Sequence, residues 1–293
     1  MSEGATTAVV TDTTAYLPDA LAAEHGIQSV SLYVTLDGEQ RPESEIAAEA
    51  YDDFFERLRA SEEGATTSQP SVGDFRAAYE PLLAQGREIV SIHISGAISG
   101  TVASATQARQ QLIDEGKGGE RILVEDSRSA CGGQGLMVLA AALAARRGAG
   151  ARDAIDAALK ARETLKMWFA VDTLEYLRRG GRIGAAQALL GSALQIKPIL
   201  TLEEEITPVE RVRTRRRAFE RLVEFARERK QAGAEAWVVQ HIHDHEAAHR
   251  LIEQCREVFG ADPVFVSEIG PVIGAHAGPG LLGFGAVKSD LLK

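Results

Sequence analysis

The chain has 293 residues, 45% hydrophobic and 25% charged, which is apolar material enough for one large core or two ordinary ones. Its 42 Asp and Glu against 32 Lys and Arg leave a net charge of -10, and that excludes a general nucleic-acid binder, whose footprint is basic. Two cysteines, Cys131 and Cys255, exclude a disulfide framework, and the longest apolar run, Leu136 to Ala145, is far short of the roughly 20 residues of a membrane span. Met1 to Thr7 carries no Lys or Arg, so the start lacks the basic end of a signal peptide. The expectation is a reduced, cytoplasmic protein with at most transient membrane contact.

Short β-rich runs alternate with helical stretches. In chain order, strands are predicted at Ala8–Thr11, Ser29–Thr35, Glu88–Ile94, Arg121–Glu125 and Met167–Val171, then Pro198–Leu202, Ile206–Arg213, Ala236–Gln240 and Val264–Glu268. Helices are predicted at Pro18–His25, Ile46–Leu58, Val72–Ala84, Gly100–Glu115 and Gly133–Arg147, then Ala151–Thr164, Asp172–Arg178, Ala185–Leu194, Arg215–Lys230 and Asp244–Phe259. Pro18 before a helix and Gly26 after it follow the usual asymmetry of helix ends. Asp172, with Glu175 three residues on, suits a capping pair. Alternation predicts an α/β protein with ligands at the C-terminal ends of strands. The first half suits a mostly parallel sheet with flanking helices. The second contains a hairpin around Glu203–Glu205 and suits a mixed sheet, which predicts one domain over 1–160 and another over 161–293.

Four polar loops follow hydrophobic elements. Thr66 to Ser71 offers hydroxyls that cap the helix at Val72 or meet a ligand. Ser95 to Thr101 joins a strand to a helix N-terminus, a natural place for an anion, but the phosphate-loop lysine and the GxSxG elbow are both missing. In the third, Gly133 and Gly135 begin a dinucleotide-like pattern that Val138 breaks, and Cys131 reads more simply as a buried thiol than as a nucleophile. In the fourth, Gly274 to Gly280, glycines and Pro279 frame His276, which suggests a shaped turn rather than a helix face. The histidines between His241 and His249 could ligate a metal or simply cap and cover a helix. Arg211 to Arg217 reads as a charged face or a docking patch.

Taken together, the chain from about Val9 to Val287 resembles the DegV family of fatty-acid-binding proteins, also called FakB. The resemblance rests on Thr11-Asp12-Thr13-Thr14, Thr67-Ser68-Gln69-Pro70-Ser71, the Ser95 loop, Asp126-Ser127, Tyr176 to Ile183, Lys197 to Leu200, Arg211 to Arg217 and Gly274 to Gly280. It implies a two-domain α/β protein, without catalytic residues, metal or cofactor, that holds a long-chain fatty acid in a tunnel between its domains. The ligand's carboxylate would meet Thr67, Ser68, Ser95, Gly96 and His276. Arg178 and Arg213 would form a rim that docks an ATP-dependent fatty acid kinase, so that the bound acid becomes an acyl phosphate and feeds phospholipid synthesis. Gly96 stands where the family usually has a second serine, leaving only its backbone N–H, and Thr13 replaces a common serine. The apolar stretch Ala185 to Leu200, with Leu189, Leu190, Leu194, Ile196 and Ile199, is the expected tunnel lining, though ordinary core packing fits it equally. Two enzyme readings stand beside this one: an acyl hydrolase using Ser95 or Ser99 with His276, although no acidic residue near His276 in sequence would orient it, and a metal-dependent enzyme built on His241 to His249. An interaction module without ligand is the third.

Overall fold

The computed structural model describes residues 6–190, 196–288 and 292. Four strands, β1 (Thr7–Asp12), β2 (Ile27–Val30), β6 (Glu88–His93) and β7 (Ile122–Asp126), form an all-parallel sheet in the order β2-β1-β6-β7. The side-chain period of two sends Ala8 and Val10 to one face and Val9 to the other. The first face is covered by Phe75, Tyr79 and Leu82 of α3 (Val72–Ala84) and by Ala105, Ala108 and Leu112 of α4 (Thr101–Asp114). The second is covered by α5 (Cys131–Arg146) and α6 (Ala151–Thr164). β1 is buried on both faces along its whole length, and its middle, Ala8 to Val10, is apolar.

The second sheet is mixed, in the order β10-β9-β8-β13-β11-β12. It comprises β8 (Lys166–Ala170), β9 (Lys197–Leu202), β10 (Ile206–Val212), β11 (Ala236–His241), β12 (Phe265–Glu268) and β13 (Leu282–Val287). Only β11 and β12 run parallel. Helices α8 (Arg215–Gln231) and α9 (His245–Phe259) cover its outer face, where Trp237, Val239 and Phe284 are buried. Helix α5 packs against both sheets. It is apolar on every side, as a helix enclosed on every side must be. Its glycines serve that double contact: a Cβ at Gly132 would press on Val238, and one at Gly135 on Phe265 and the Ala15 carbonyl. No phosphate cradle is needed to explain them.

A third, antiparallel sheet of order β4-β3-β5 joins β3 (Tyr33–Leu36), β4 (Glu39–Pro42) and β5 (Thr66–Ser68). The predicted single strand Ser29–Thr35 is therefore split between β2 and β3, which belong to different sheets. Asp37 and Gly38, both at positive φ, make the two-residue turn that reverses β3 into β4. Short helices complete the site region: α1 (Asp19–His25), α2 (Tyr51–Ala60), α7 (Glu175–Arg179) and α10 (Pro271–Ala277). Asp172 does not cap α7. It pairs with Lys197 and Arg215, and the Glu175 amide donates to Thr173 Oγ1 instead. The predicted helix Ala185–Leu194 is a 3-10 turn over Gly184–Leu189, and its last residues lie outside those described.

Candidate functional site

A partly open cavity lies between the three sheets. Its apolar wall includes Leu32, Ile94, Ile98, Met167, Phe169, Leu177, Leu202 and Ile206, closed by Val272, Ile273 and Leu281. Met167 and Phe169 sit two apart on β8, so the sheet's alternation points both inward. The cavity's polar lining comprises Thr67, Ser68 and Gln69 from β5 and its exit, Ser99 after β6, Ser129 before α5, Arg182 after α7, Gln240 on β11 and His276 on α10.

Thr67 and His276, 209 residues apart, meet with 2.7 Å between Oγ1 and Nε2. Thr67 is held by the pairing of β5 with β3, in which it stands opposite Val34. His276 is held by a helix whose start is anchored from below. Glu43, buried, accepts from the Val272 amide at 2.8 Å and from the Tyr16 hydroxyl at 2.6 Å, and the Ile273 amide donates to that same hydroxyl at 3.2 Å. A carboxylate at a helix N-terminus satisfies amides that have no partner within the helix. The other ring nitrogen of His276, Nδ1, is buried without a partner and lies over Gly180, where any Cβ would collide with it. Gly180 is thus a glycine because the imidazole occupies that space.

Burial, with a smaller push from the Arg182 guanidinium, depresses His276 to about 4, so the ring is neutral at pH 7. With no acceptor at Nδ1, the favoured tautomer carries its proton on Nε2, facing Thr67. The Thr67 hydroxyl can accept a hydrogen bond from that N–H and donate its own proton onward to an acceptor in the cavity. Arg182 spends its Nε and Nη1 on the Ile98 and Gly180 carbonyls at 3.2 and 2.6 Å. It is the one permanent cation among the described residues lining the cavity, so the polar lining includes a formal positive charge.

Ser68 lines the cavity and is exposed. Ser95 is buried but does not line it: its Oγ accepts from the Ala97 amide at 3.3 Å and its carbonyl takes the Ile98 and Ser99 amides. Gly96, expected to offer a backbone N–H, donates it to Asp126 at 3.1 Å. The loop carrying both residues hangs from a buried polar chain. Asp12 Oδ2 accepts from the Ile94 amide and contacts His93 Nδ1, both at 3.0 Å, and His93 Nε2 continues to Ser91 and on to Tyr79. No Asp or Glu among the described residues hydrogen-bonds to His276, and its partner is Thr67 rather than Ser95 or Ser99, so the constellation an acyl hydrolase requires is not assembled. Cys131 lines the cavity with its thiol pushed up by burial, the wrong direction for a nucleophile.

The apolar stretch behaves differently from expectation. Leu189 is buried in the core beside the cavity without lining it, Ile196 is half-buried against that core, and Leu190 is 39% exposed. Ile199 points away, under α8 with Ala170, Val212 and Ala218, while Leu200 and Leu202 face inward. Leu194 lies outside the described residues. Of the proposed rim, Arg178 on α7 pairs with Glu175 at 2.7 Å, and Arg213 is exposed just past β10.

A family model described as an uncharacterised protein, DegV family, matches residues 6–289. A DegV domain-containing protein of Streptomyces coelicolor is 40% identical, aligned over 94% of this chain and 96% of its own length. Among solved structures, one from Thermus thermophilus, described by its fatty acid binding, is 34% identical with a TM-score of 0.85, covering 96% of this chain and 99% of its own. DegV of Bacillus subtilis, described as a fatty acid binding protein, superposes with a TM-score of 0.83 at 34% identity, covering 96% and 99%. No helix among the described residues is long and apolar enough to cross a membrane. The chain belongs to the DegV family.

Proposed function

We propose that this protein binds one long-chain fatty acid in the cavity, with the carboxylate at Thr67 and His276, and presents it to a separate ATP-dependent kinase. The observation that carries the reading is the Thr67–His276 pair at the polar end of an apolar cavity. A buried carboxylate is costly unless several donors meet it. Thr67 supplies a hydroxyl, His276 an N–H, and Arg182 a guanidinium, with Ser68, Gln69 and Ser99 nearby. Each methylene removed from water contributes about 0.8 kcal/mol, which favours long chains. The fatty acid binding described for the Thermus and Bacillus relatives supports the same ligand class. In the kinase step a carboxylate oxygen would attack the γ-phosphorus of ATP, giving an acyl phosphate and ADP. Exposed Arg178 and Arg213 suit the docking of an ATP-bearing partner.

The test is direct. Protein purified without added lipid, denatured and extracted, should release about one equivalent of fatty acid by mass spectrometry, or take up one equivalent of oleate or palmitate after delipidation. Background lipid only, before and after reloading, would end the proposal.

A further inference from the structure

At the far end of the mixed sheet, β11 and β12 run parallel with His241 opposite Glu268 at their C-terminal ends. Helix α9 starts four residues later, capped by Asp244, and carries His245 in its first turn. One donor atom from each of His241, His245 and Glu268 lies within 4.8 Å of the others. His245 Nε2 is 3.6 Å from Glu268 Oε1 and 3.9 Å from Asp52 Oδ1 on α2. The decisive detail is His241: it is 4% exposed, and its Nδ1 is buried with no hydrogen-bond partner. A neutral imidazole nitrogen in that condition has its lone pair free to ligate an ion.

We propose that His241, His245 and Glu268 form a site for a divalent cation of the zinc type, with Asp52 within reach as a fourth donor. Two imidazoles and a carboxylate are a zinc donor set with an open position, whereas magnesium and calcium take oxygen almost exclusively. Bonds of about 2.0–2.2 Å in a tetrahedron hold ligand atoms roughly 3.3–3.5 Å apart, so the group must draw in by at most about 1.5 Å. The exposed His245 side chain at a helix start is able to make that movement. His243 stands outside the set, because its Nδ1 is 2.6 Å from Asp52 Oδ1 and orients that carboxylate. His249, one turn further along α9, is 70% exposed beside Glu253 and outside the cluster. None of the three ligands lines the fatty-acid cavity, so the site stands independently of that reading.

Full-length protein, stripped with chelator and dialysed, is titrated with zinc by calorimetry and with cobalt by visible absorption. Expected are about one equivalent of zinc and intense cobalt d–d bands of the tetrahedral kind that zinc abolishes. His245→Ala and Glu268→Gln should each weaken zinc at least about tenfold, while His249→Ala leaves it unchanged. His245→Ala is the deciding variant, since its side chain is exposed, and circular dichroism checks that the variant folds. Zinc binding that is absent from the wild type, equal in wild type and His245→Ala, or lost only in His249→Ala overturns the proposal.

Discussion

His276 gives the sharpest expectations, because its environment differs so much from water. Its depressed value means that the folded protein prefers the neutral ring, whereas the unfolded chain protonates near the ordinary value of about 6.5. The unfolded state therefore binds more protons between about 6.5 and 4, and stability should fall as pH drops through that window. Urea titrations at pH 7 and pH 5 should show a loss from this group of about 1–2 kcal/mol, and the loss should shrink in His276→Gln. A carboxylate placed against Nε2 acts the other way, favouring the charged ring. Loading with oleate should accordingly raise the His276 titration midpoint seen by NMR, and an unmoved midpoint would place the carboxylate elsewhere. Removing one donor by Thr67→Val or His276→Ala should cost about 1.5–3 kcal/mol, roughly 10- to 150-fold in oleate affinity. Ser95→Ala should cost less, since its hydroxyl serves the loop turn.

Helix α10 shows why a short element can escape a sequence reading and still organise a site. Three glycines and Pro279 around His276 suggest a turn, yet Pro271 starts a two-turn helix and His276 lies in its last turn. The glycines make room: a Cβ at Gly274 would strike Phe55, and one at Gly278 would strike Tyr176. What stabilises so short a helix is Glu43, distant in sequence. Burial pushes the Glu43 carboxyl up, against the hydrogen bonds from Tyr16 and Val272 that favour its charge. Glu43→Ala leaves the Tyr16 hydroxyl and the Val272 amide of α10 short of their acceptor. It should destabilise the fold by about 2–4 kcal/mol and weaken oleate binding although it touches no ligand. Chemical denaturation and a binding titration together check this. Full stability in Glu43→Ala would show that packing alone seats the helix.

Across the molecule, the arginines divide by what they already do. Arg215 is tied to Asp172 and Asp244, and Arg217 to Glu220 and Glu224, so much of the basic run is a self-paired surface. Arg178 has only exposed Glu175, and a surface pair of that kind contributes about 0–1 kcal/mol, so a partner can recruit it. Replacing Arg178 or Arg213 by Ala should leave bound oleate unchanged while slowing acyl-phosphate formation by an added kinase several-fold, more at low salt than at high. Lost lipid with unchanged kinase rate would reverse the assignment.

The ordered alternation of strands and helices, the α/β class, and the long amphipathic helices α3, α6, α8 and α9 were legible in the chain, because periodicity and capping are local. So was membership of the DegV family, which the polar loops carried in their order. The Asp37-Gly38 turn is a local signal too, flanked by strands of only four residues. Tertiary structure alone decided which loops share a cavity. Thr67 and His276 meet only because β5 pairs with β3 and Glu43 seats α10, whereas Ser95 and Gly96, equally eligible by type, spend their groups on the loop and on Asp126. Leu200 and Ile199, neighbours of like hydropathy, face opposite sides of the sheet. A residue's type sets what bond it can make, but long-range pairing sets which partner is within 3 Å, and that distance is not written in any local stretch of sequence.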